Sequence, residues 1–458
     1  MNRDNNACFA ELRALFSDRC VTRQGVLAEH GKGEAFYPAM PPDAVIFPHS
    51  TDEVSAAVKT CAKYRVPMIP YGTGTSLEGH FLAVRGGVCF DLMQMNQVLR
   101  VNTEDLDCTV QPGVTRNQLN TYLRETGLMF PIDPGADASL GGMLATNASG
   151  TNAVRYGTMK DMVINLTAVL ANGEIVKTGN RARKSAAGYD LTRMLVGTEG
   201  TLGMITEATL KLFGVPEAAT AGILSFKSLD QAVNTVILTI QQGLPIGRIE
   251  LLDEDSLRAI NHYFLQNFPL APTLWFEFSG NPTIVSEQVK EFLAIAEQMD
   301  GEYLHEASTQ QERYSLWDMR HKLWHTALAF NPGKQGWSTD VCVPISRLAD
   351  CIVATRKDIQ RTGLYCPILG HVGDGNFHVI IMFDGDNPDE IAVAKDLNRR
   401  IVERALSMEG TCTGEHGIGL GKIDLLEAEM PSAIPVMRAI KQALDPMGLL
   451  NPGKVFRA

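Results

Sequence analysis

The spacing of apolar residues changes several times along the chain, and each change marks a boundary. Residues 9–16 carry apolar positions at helical spacing and read as a short amphipathic helix, followed by a polar connector through Gly31-Lys32-Gly33; together they suggest an N-terminal arm over residues 1–40. From Pro41 the periods alternate. Residues 44–47 read as a strand, 51–64 as a helix capped by Ser50 or Thr51 with acids in its first turn, and 66–69 as another strand, which predicts a parallel βαβ unit. Asn172-Gly173 between short apolar runs predicts a two-residue hairpin turn. After Pro216 the order becomes strand 223–226, helix 229–242, strand 246–252, strand 273–279, helix 284–299 and strand 303–306. That βαββαβ order is the one of an antiparallel ferredoxin-like sheet.

A chain of 458 residues exceeds one ordinary hydrophobic core, so two or three domains are expected. The net charge of 41 − 52 = −11 argues against a nucleic-acid surface. The nine cysteines are scattered without a C-x-x-C pair, which fits a reducing compartment and excludes an iron–sulfur motif of the usual spacing. No apolar run reaches membrane-spanning length, and Met1-Asn2-Arg3-Asp4 lacks the basic-then-apolar build of a secretion signal, so a cytoplasmic protein is expected.

Candidate chemistry concentrates at Gly370-His371-Val372-Gly373-Asp374-Gly375-Asn376-Phe377-His378. Apolar runs of strand length flank this stretch, which reads as strand, tight turn, strand, with Gly373, Gly375 and Asn376 supplying positive φ. Such a turn lets both imidazoles aim at one point. A glycine-rich loop around Gly414-Glu415-His416-Gly417 adds a carboxylate and a third imidazole. Two His and one Glu make a three-ligand site with open positions, so His371, His378 and Glu415 are expected metal ligands, of zinc or manganese, with His416 left as a base. A lone histidine at a sheet edge is more often a hydrogen-bonded core residue, but packing has no use for Gly-x-Gly-Asn between two of them. A rival pair, His321 and His325, stands four apart on an expected helix without a visible third ligand.

A second chemistry is suggested by glycine. The strand at 66–69 runs into Pro70-Tyr71-Gly72-Thr73-Gly74-Thr75-Ser76-Leu77-Glu78-Gly79, whose amides and hydroxyls suit an anion, although the spacing is neither G-x-G-x-x-G nor that of a P-loop. Gln111-Pro112-Gly113, Asp133-Pro134-Gly135, the small-residue run Ser139 to Gly150, and Gly197-Thr198-Glu199-Gly200-Thr201-Leu202-Gly203 follow. Taken in this order, the segments resemble the flavin domain of the vanillyl alcohol oxidase-type flavoproteins. Trp317-Asp318-Met319-Arg320-His321-Lys322-Leu323-Trp324, Ser338-Thr339-Asp340-Val341-Cys342-Val343-Pro344, the His371 to His378 stretch and Glu415-His416 resemble the FAD-linked D-lactate dehydrogenases, with D-2-hydroxyglutarate dehydrogenases and glycolate oxidase subunits as cousins. The resemblance runs from about Pro41 to Lys454.

The resemblance implies an α+β fold. It comprises a two-part FAD-binding domain over 41–215, a substrate or cap domain with an antiparallel sheet over 216–409, and a C-terminal loop and helical tail over 410–458 returning to the flavin. Its implied FAD contacts are Pro70, Tyr71, Gly72, Thr73, Gly74, Thr75, Ser76 and Gly79 in the first loop, then Pro134, Gly135, Ser139, Gly142, Met143, Thr146, Asn147, Ser149 and Gly150, and finally Glu199, Gly200, Gly203, Ile205 and Asn451. Relatives that tether FAD through histidine carry it where Thr75 stands here, with His80 five residues on, so non-covalent FAD is expected. The implied reaction is oxidation of a D-2-hydroxy acid by hydride transfer to flavin N5, with Arg320 clamping the substrate carboxylate and His416 as general base. Electrons would leave to a quinone, a cytochrome or an electron-transferring flavoprotein, an acceptor that could hold the protein at a membrane surface; a homodimer is compatible with this.

Ile380 shares the face of its strand with His378 and is expected to line the substrate pocket, and neither face of 338–343 offers a cation. A second substrate carboxylate would therefore lack a partner, which favours D-lactate and small aliphatic D-2-hydroxy acids over D-2-hydroxyglutarate. Two other readings stand beside this one. A metal-dependent hydrolase would use the His/Glu set but leave the glycine clusters idle, and a silent flavin-binding subunit would not need His371, His378, Glu415 and Arg320.

Overall fold

The computed structural model describes residues 4–34 and 36–457; Met1 to Arg3, on which the reading of the chain start partly rests, lie outside the described residues. The chain divides into two compact units, one of residues 1–149, 157–215 and 415–458, the other of residues 150–156 and 216–414.

In the first unit a four-stranded sheet runs in the order Cys20–Val21, Ala44–Ile46, Val88–Asp91, Met68–Tyr71, the last three parallel. The helix Thr51–Tyr64 makes the βαβ crossover. Ser50 accepts from the Glu53 amide at its start, Asp52 and Glu53 face its dipole, and Arg65 ends it in the left-handed conformation. Val54, Ala57, Val58 and Cys61 form its buried stripe, and they share one core with Cys8, Leu12 and Phe16 of the helix Asn5–Phe16. The expected N-terminal arm is thus in part core of this unit: a stripe at i, i+4, i+8 needs a partner, and the crossover helix provides it. A five-stranded antiparallel sheet follows, in the order Val98–Asn102, Asp107–Val110, Met204–Lys211, Val163–Val169, Ile175–Lys177.

The long segment of the second unit runs over residues 216–414. Its sheet runs Glu302–Ala307, Ala218–Ser225, Thr273–Gly280, Arg248–Leu252, Ile368–Gly370, Asn376–Phe383, Gln335–Ser338, with Val341–Cys342 pairing beside the last of these on Asn376–Phe383. The first four strands have the ferredoxin-like order, and the others extend it. An unexpected helix, Glu254–Phe264, lies between two of the strands, its first turn capped by Asp253. Residues 150–156 belong to this unit: Arg155 donates to the Ser279 carbonyl at 2.6 Å, and Asn152 accepts from Arg248 at 2.8 Å. Among the described residues no helix is long and apolar enough to cross a membrane.

Candidate active site

In the first unit, the strand Met68–Tyr71 leads into a loop whose backbone is crowded. A Cβ at Gly72 would collide with Ser139 Oγ, one at Gly200 would collide with the Pro70 ring, and Gly74 turns at φ +72°. The helix Leu140–Thr146 starts under this loop, with Ser139 Oγ accepting from Gly142 N at 3.3 Å, and the turn at 197–200 is bound to it by Gly197 N to Leu144 O at 2.9 Å and Glu199 N to Ala145 O at 2.8 Å. Pro70, Gly72, Ser139, Gly142, Glu199 and Gly200 are thereby brought together. Thr73 and Thr75 hydroxyls lie 3.1 Å apart, and Ser76 Oγ is buried with no hydrogen-bond partner. A buried hydroxyl without a partner, in a loop that has given up side chains for close backbone approach, fits the phosphates of FAD.

Other residues expected at the cofactor have structural duties. Asn147 sits at φ +52°, closing its helix, and its side-chain oxygen accepts from Thr158 Oγ1 and Lys160 N at 3.0 and 2.9 Å. Thr146 Oγ1 donates back to Gly142 O, Met143 and Ile205 are core, and Gly150 falls in the segment grouped with the second unit. Glu199, at φ +55°, accepts the amides of Ile418 and Gly419 at 2.6 and 2.8 Å and stands 3.4 Å from His80 Nε2. Burial acts to raise its pKa, but His80 and the two amides hold it below the usual carboxylate range. Asn451 donates to the carbonyls of Glu199 and His80 at 2.7 and 2.9 Å. Nearby, Lys454 donates to Leu82 O at 2.6 Å, and burial lowers its pKa to about 8 against the pull of Glu199. Glu199 and Asn451 thus fasten the C-terminal segment to the flavin-loop side of this unit. Glu415 accepts from Ser149 Oγ at 2.7 Å, and His416 is half-buried.

In the second unit, Leu369 pairs with His378 across two strands and His371 follows the first of them, so the two imidazoles meet edge to face with ring centroids 5.4 Å apart. The reversal differs in detail from expectation. Gly375 alone takes a positive φ, +80°; Gly373 is small because Val154 and Ile249 crowd it, and Asn376 begins the strand. His371 Nδ1 lies 2.7 Å from Glu250 Oε1, and His378 Nδ1 lies 3.1 Å from the Thr339 carbonyl with Asp340 Oδ1 at 3.6 Å. A carbonyl and an ionised carboxylate only accept, so each Nδ1 donates, and in the neutral imidazole the lone pair is then on Nε2. That is the arrangement of a metal-ligating histidine with its outer partner in place. Asp340, fully buried, also accepts from Asn376 Nδ2 at 2.8 Å and Thr413 Oγ1 at 2.7 Å.

Arg320 is buried and paired: its Nε lies 2.9 Å and its NH2 2.6 Å from Glu250 Oε2. Burial would raise the Glu250 pKa, but Arg320 and His371 hold it low. Arg320 is therefore no free clamp; NH1 is the nitrogen that Glu250 does not engage. Ile380 packs in an apolar core with Trp275, Leu316, Trp317 and Leu369, so its place on the His378 face does not make it a pocket residue. His321 ends one helix and His325 belongs to the next, Leu323–Phe330, which removes the shared face expected of that pair. Glu250 is not among the residues expected from the sequence, although a carboxylate set between Ile249 and Leu251-Leu252 on one strand is a visible signal.

Two family models cover most of the chain. A model of the FAD-linked oxidase C-terminal domain matches residues 215–455, and a FAD binding domain model matches residues 42–179. The chain is 51% identical to "Probable D-lactate dehydrogenase, mitochondrial" of Danio rerio over 98% of this chain and 91% of that one. It is 45% identical to "D-lactate dehydrogenase [cytochrome], mitochondrial" of Arabidopsis thaliana, over 98% of this chain and 79% of the relative. Among solved structures, p-cresol methylhydroxylase with substrate bound superposes with a TM-score of 0.79 at 18% identity, covering 99% of this chain and 97% of that one, a likeness of fold. By its domain matches and its relatives, this chain belongs to the FAD-linked oxidase family.

Proposed function

We propose that the chain oxidises D-lactate and small aliphatic D-2-hydroxy acids to 2-oxo acids, using non-covalent FAD and a divalent metal ion. The activity named for the Danio rerio and Arabidopsis thaliana relatives supports the substrate class. The observation that carries the metal reading is that both His371 and His378 have Nδ1 committed to an acceptor, which leaves Nε2 as the coordinating atom of each. Bound FAD supplies the acceptor for the Cα hydride, and a bound divalent cation supplies charge that makes the substrate hydroxyl easier to deprotonate.

In this reading His371, His378 and Glu415 are the ligands, an N/O set suited to zinc or manganese. Glu415 is one peptide bond beyond Gly414, at which a Cβ would collide with Asn376, two residues before His378; this favours Glu415 as the third ligand. His416 takes the hydroxyl proton. Arg320 holds the substrate carboxylate through NH1, oriented by Glu250.

A second substrate carboxylate would need its own cation. Two lysines that a neighbouring helix and loop could bring to the candidate pocket strands are engaged elsewhere: Lys322 with Asp318 at 2.7 Å and Lys334 with Glu390 at 3.0 Å. This supports D-lactate over D-2-hydroxyglutarate without any role for Ile380. Thr75 stands where tethering relatives carry histidine and His80 is buried beside Glu199, so acid denaturation is expected to release the flavin. A cytochrome, as in the name of the Arabidopsis thaliana relative, is the acceptor we favour. The hydrolase reading finds no use for a FAD-binding domain. The test is His371→Ala and His378→Ala: both variants are expected to lose metal by elemental analysis while keeping the flavin spectrum, and normal metal with normal turnover in both would refute the ligand assignment.

A further inference from the structure

Glu250 is a carboxylate shared by the proposed metal ligand and the proposed substrate clamp. It is fully buried on the strand Arg248–Leu252. Oε1 faces His371 Nδ1 at 2.7 Å, while Oε2 faces Arg320 Nε at 2.9 Å and NH2 at 2.6 Å. No water is needed to complete either contact. Both partners are donors in this arrangement, so the side chain has to accept at both oxygens.

We propose that Glu250 is a positioning residue that fixes the tautomer of His371 and the orientation of Arg320 through a single side chain. A guanidinium only donates, so whatever stands at position 250 must turn an acceptor toward Arg320. Imidazole is adaptable: facing an acceptor it carries the proton on Nδ1, and facing a donor it carries the proton on Nε2. Glutamine in place of Glu250 has one acceptor and one donor. Its oxygen goes to Arg320, because an amide N–H against a guanidinium N–H would leave buried donors opposed. Its NH2 then faces His371, whose Nδ1 becomes the acceptor and whose proton moves to Nε2. An Nε2–H cannot ligate a cation. The loss therefore falls selectively on the metal site, while Arg320 keeps its partner. Aspartate, with two acceptor oxygens on a shorter stem, preserves the pattern at poorer reach.

The proposal rests on the reading of His371 as a metal ligand given above, and the test separates the two. Full-length, flavin-loaded protein is labelled with ¹⁵N-histidine and freed of metal, and the His371 ring nitrogens are assigned by their loss in His371→Asn. Zn(II) affinity is measured in parallel against a competing chelator. Expected are Nδ1–H at His371 in the unsubstituted protein, Nε2–H in Glu250→Gln with a fall in Zn(II) affinity of about 10- to 100-fold, and retained Nδ1–H with a smaller loss in Glu250→Asp. At saturating metal, KM for D-lactate is expected to change less in Glu250→Gln than in Arg320→Met. The proposal is overturned by Nε2–H in the unsubstituted protein, by Nδ1–H persisting in Glu250→Gln, or by unchanged Zn(II) affinity in that variant. Should Glu250→Gln fail to fold, the unsubstituted protein and Glu250→Asp decide, because Nε2–H in either overturns it. If the unsubstituted protein binds no Zn(II), the metal reading falls while the tautomer comparison still decides the role of Glu250.

Discussion

Glu199 Oε1 accepts the backbone N–H of Ile418 at 2.6 Å, so a turn of the flavin-binding unit holds the C-terminal segment by a buried carboxylate. The same carboxylate takes the Gly419 amide and neighbours His80. Glu199→Ala leaves two buried amides without an acceptor, at a cost of about 3 kcal/mol. A lower denaturation midpoint and a weaker hold on flavin are expected together, read by denaturant unfolding and by flavin retained after dialysis. Glu199→Gln, which keeps one acceptor, should lie between. Unchanged stability in Glu199→Ala would show that the contact is incidental.

Lys454 gives the same segment a pH signature. Its pKa is lowered by burial to about 8 in the folded protein, against about 10.4 for an unfolded lysine. Between these values the unfolded state binds more protons, so stability rises with pH across the window from about 8 to 10.4. Other groups titrate there too, so the comparison that matters is between Lys454 and Lys454→Met. The variant is expected to lose part of the slope in unfolding free energy over that window. An identical slope in both would contradict a strained, buried ammonium at this position.

His416 and Glu415 are adjacent but have different assignments. His416→Ala is expected to keep metal and flavin while slowing flavin reduction by a factor of about 10² to 10⁴. Glu415→Ala is expected to lose metal, and with it Ser149 Oγ loses its 2.7 Å acceptor. Elemental analysis and anaerobic stopped-flow on both variants separate the two roles. If both variants retain metal and behave alike, the assignments are wrong.

Much of the architecture was legible in the chain because local signals agreed with the final packing. Ser50, Asp52 and Glu53 start a helix where they should, and the βαββαβ order of the second unit follows from its strand and helix periods. The pairing of His371 with His378 was legible because glycine enforces the reversal between them. What was hidden depends on contacts distant in sequence. The stripe Cys8, Leu12, Phe16 does not announce that its partner is the helix Thr51–Tyr64. Helix Glu254–Phe264 carries the same start signals, Asp253 at its cap with Glu254 and Asp255 in its first turn, but it lies where the βαββαβ order joins two strands directly. Glu250 reaches His371 across 121 positions and Arg320 across 70, and periodicity carries no information on either pairing. Ile380 shows the limit in the other direction: alternation gives the face of a strand correctly, but whether that face meets substrate or core is settled by helices elsewhere in the chain.

If the site works as proposed, D-lactate reduces the flavin through a metal-dependent step. The direct measurement is anaerobic stopped-flow of the flavin absorbance on mixing with D-lactate, made on the protein as purified, after removal of metal by a chelator, and after return of Zn(II) or Mn(II). Bleaching by D-lactate is expected, faster than by D-2-hydroxyglutarate, abolished by the chelator with flavin still bound, and restored by one of the two ions. Bleaching that persists at full rate in the metal-free protein, or a flavin that D-lactate never reduces, would contradict it.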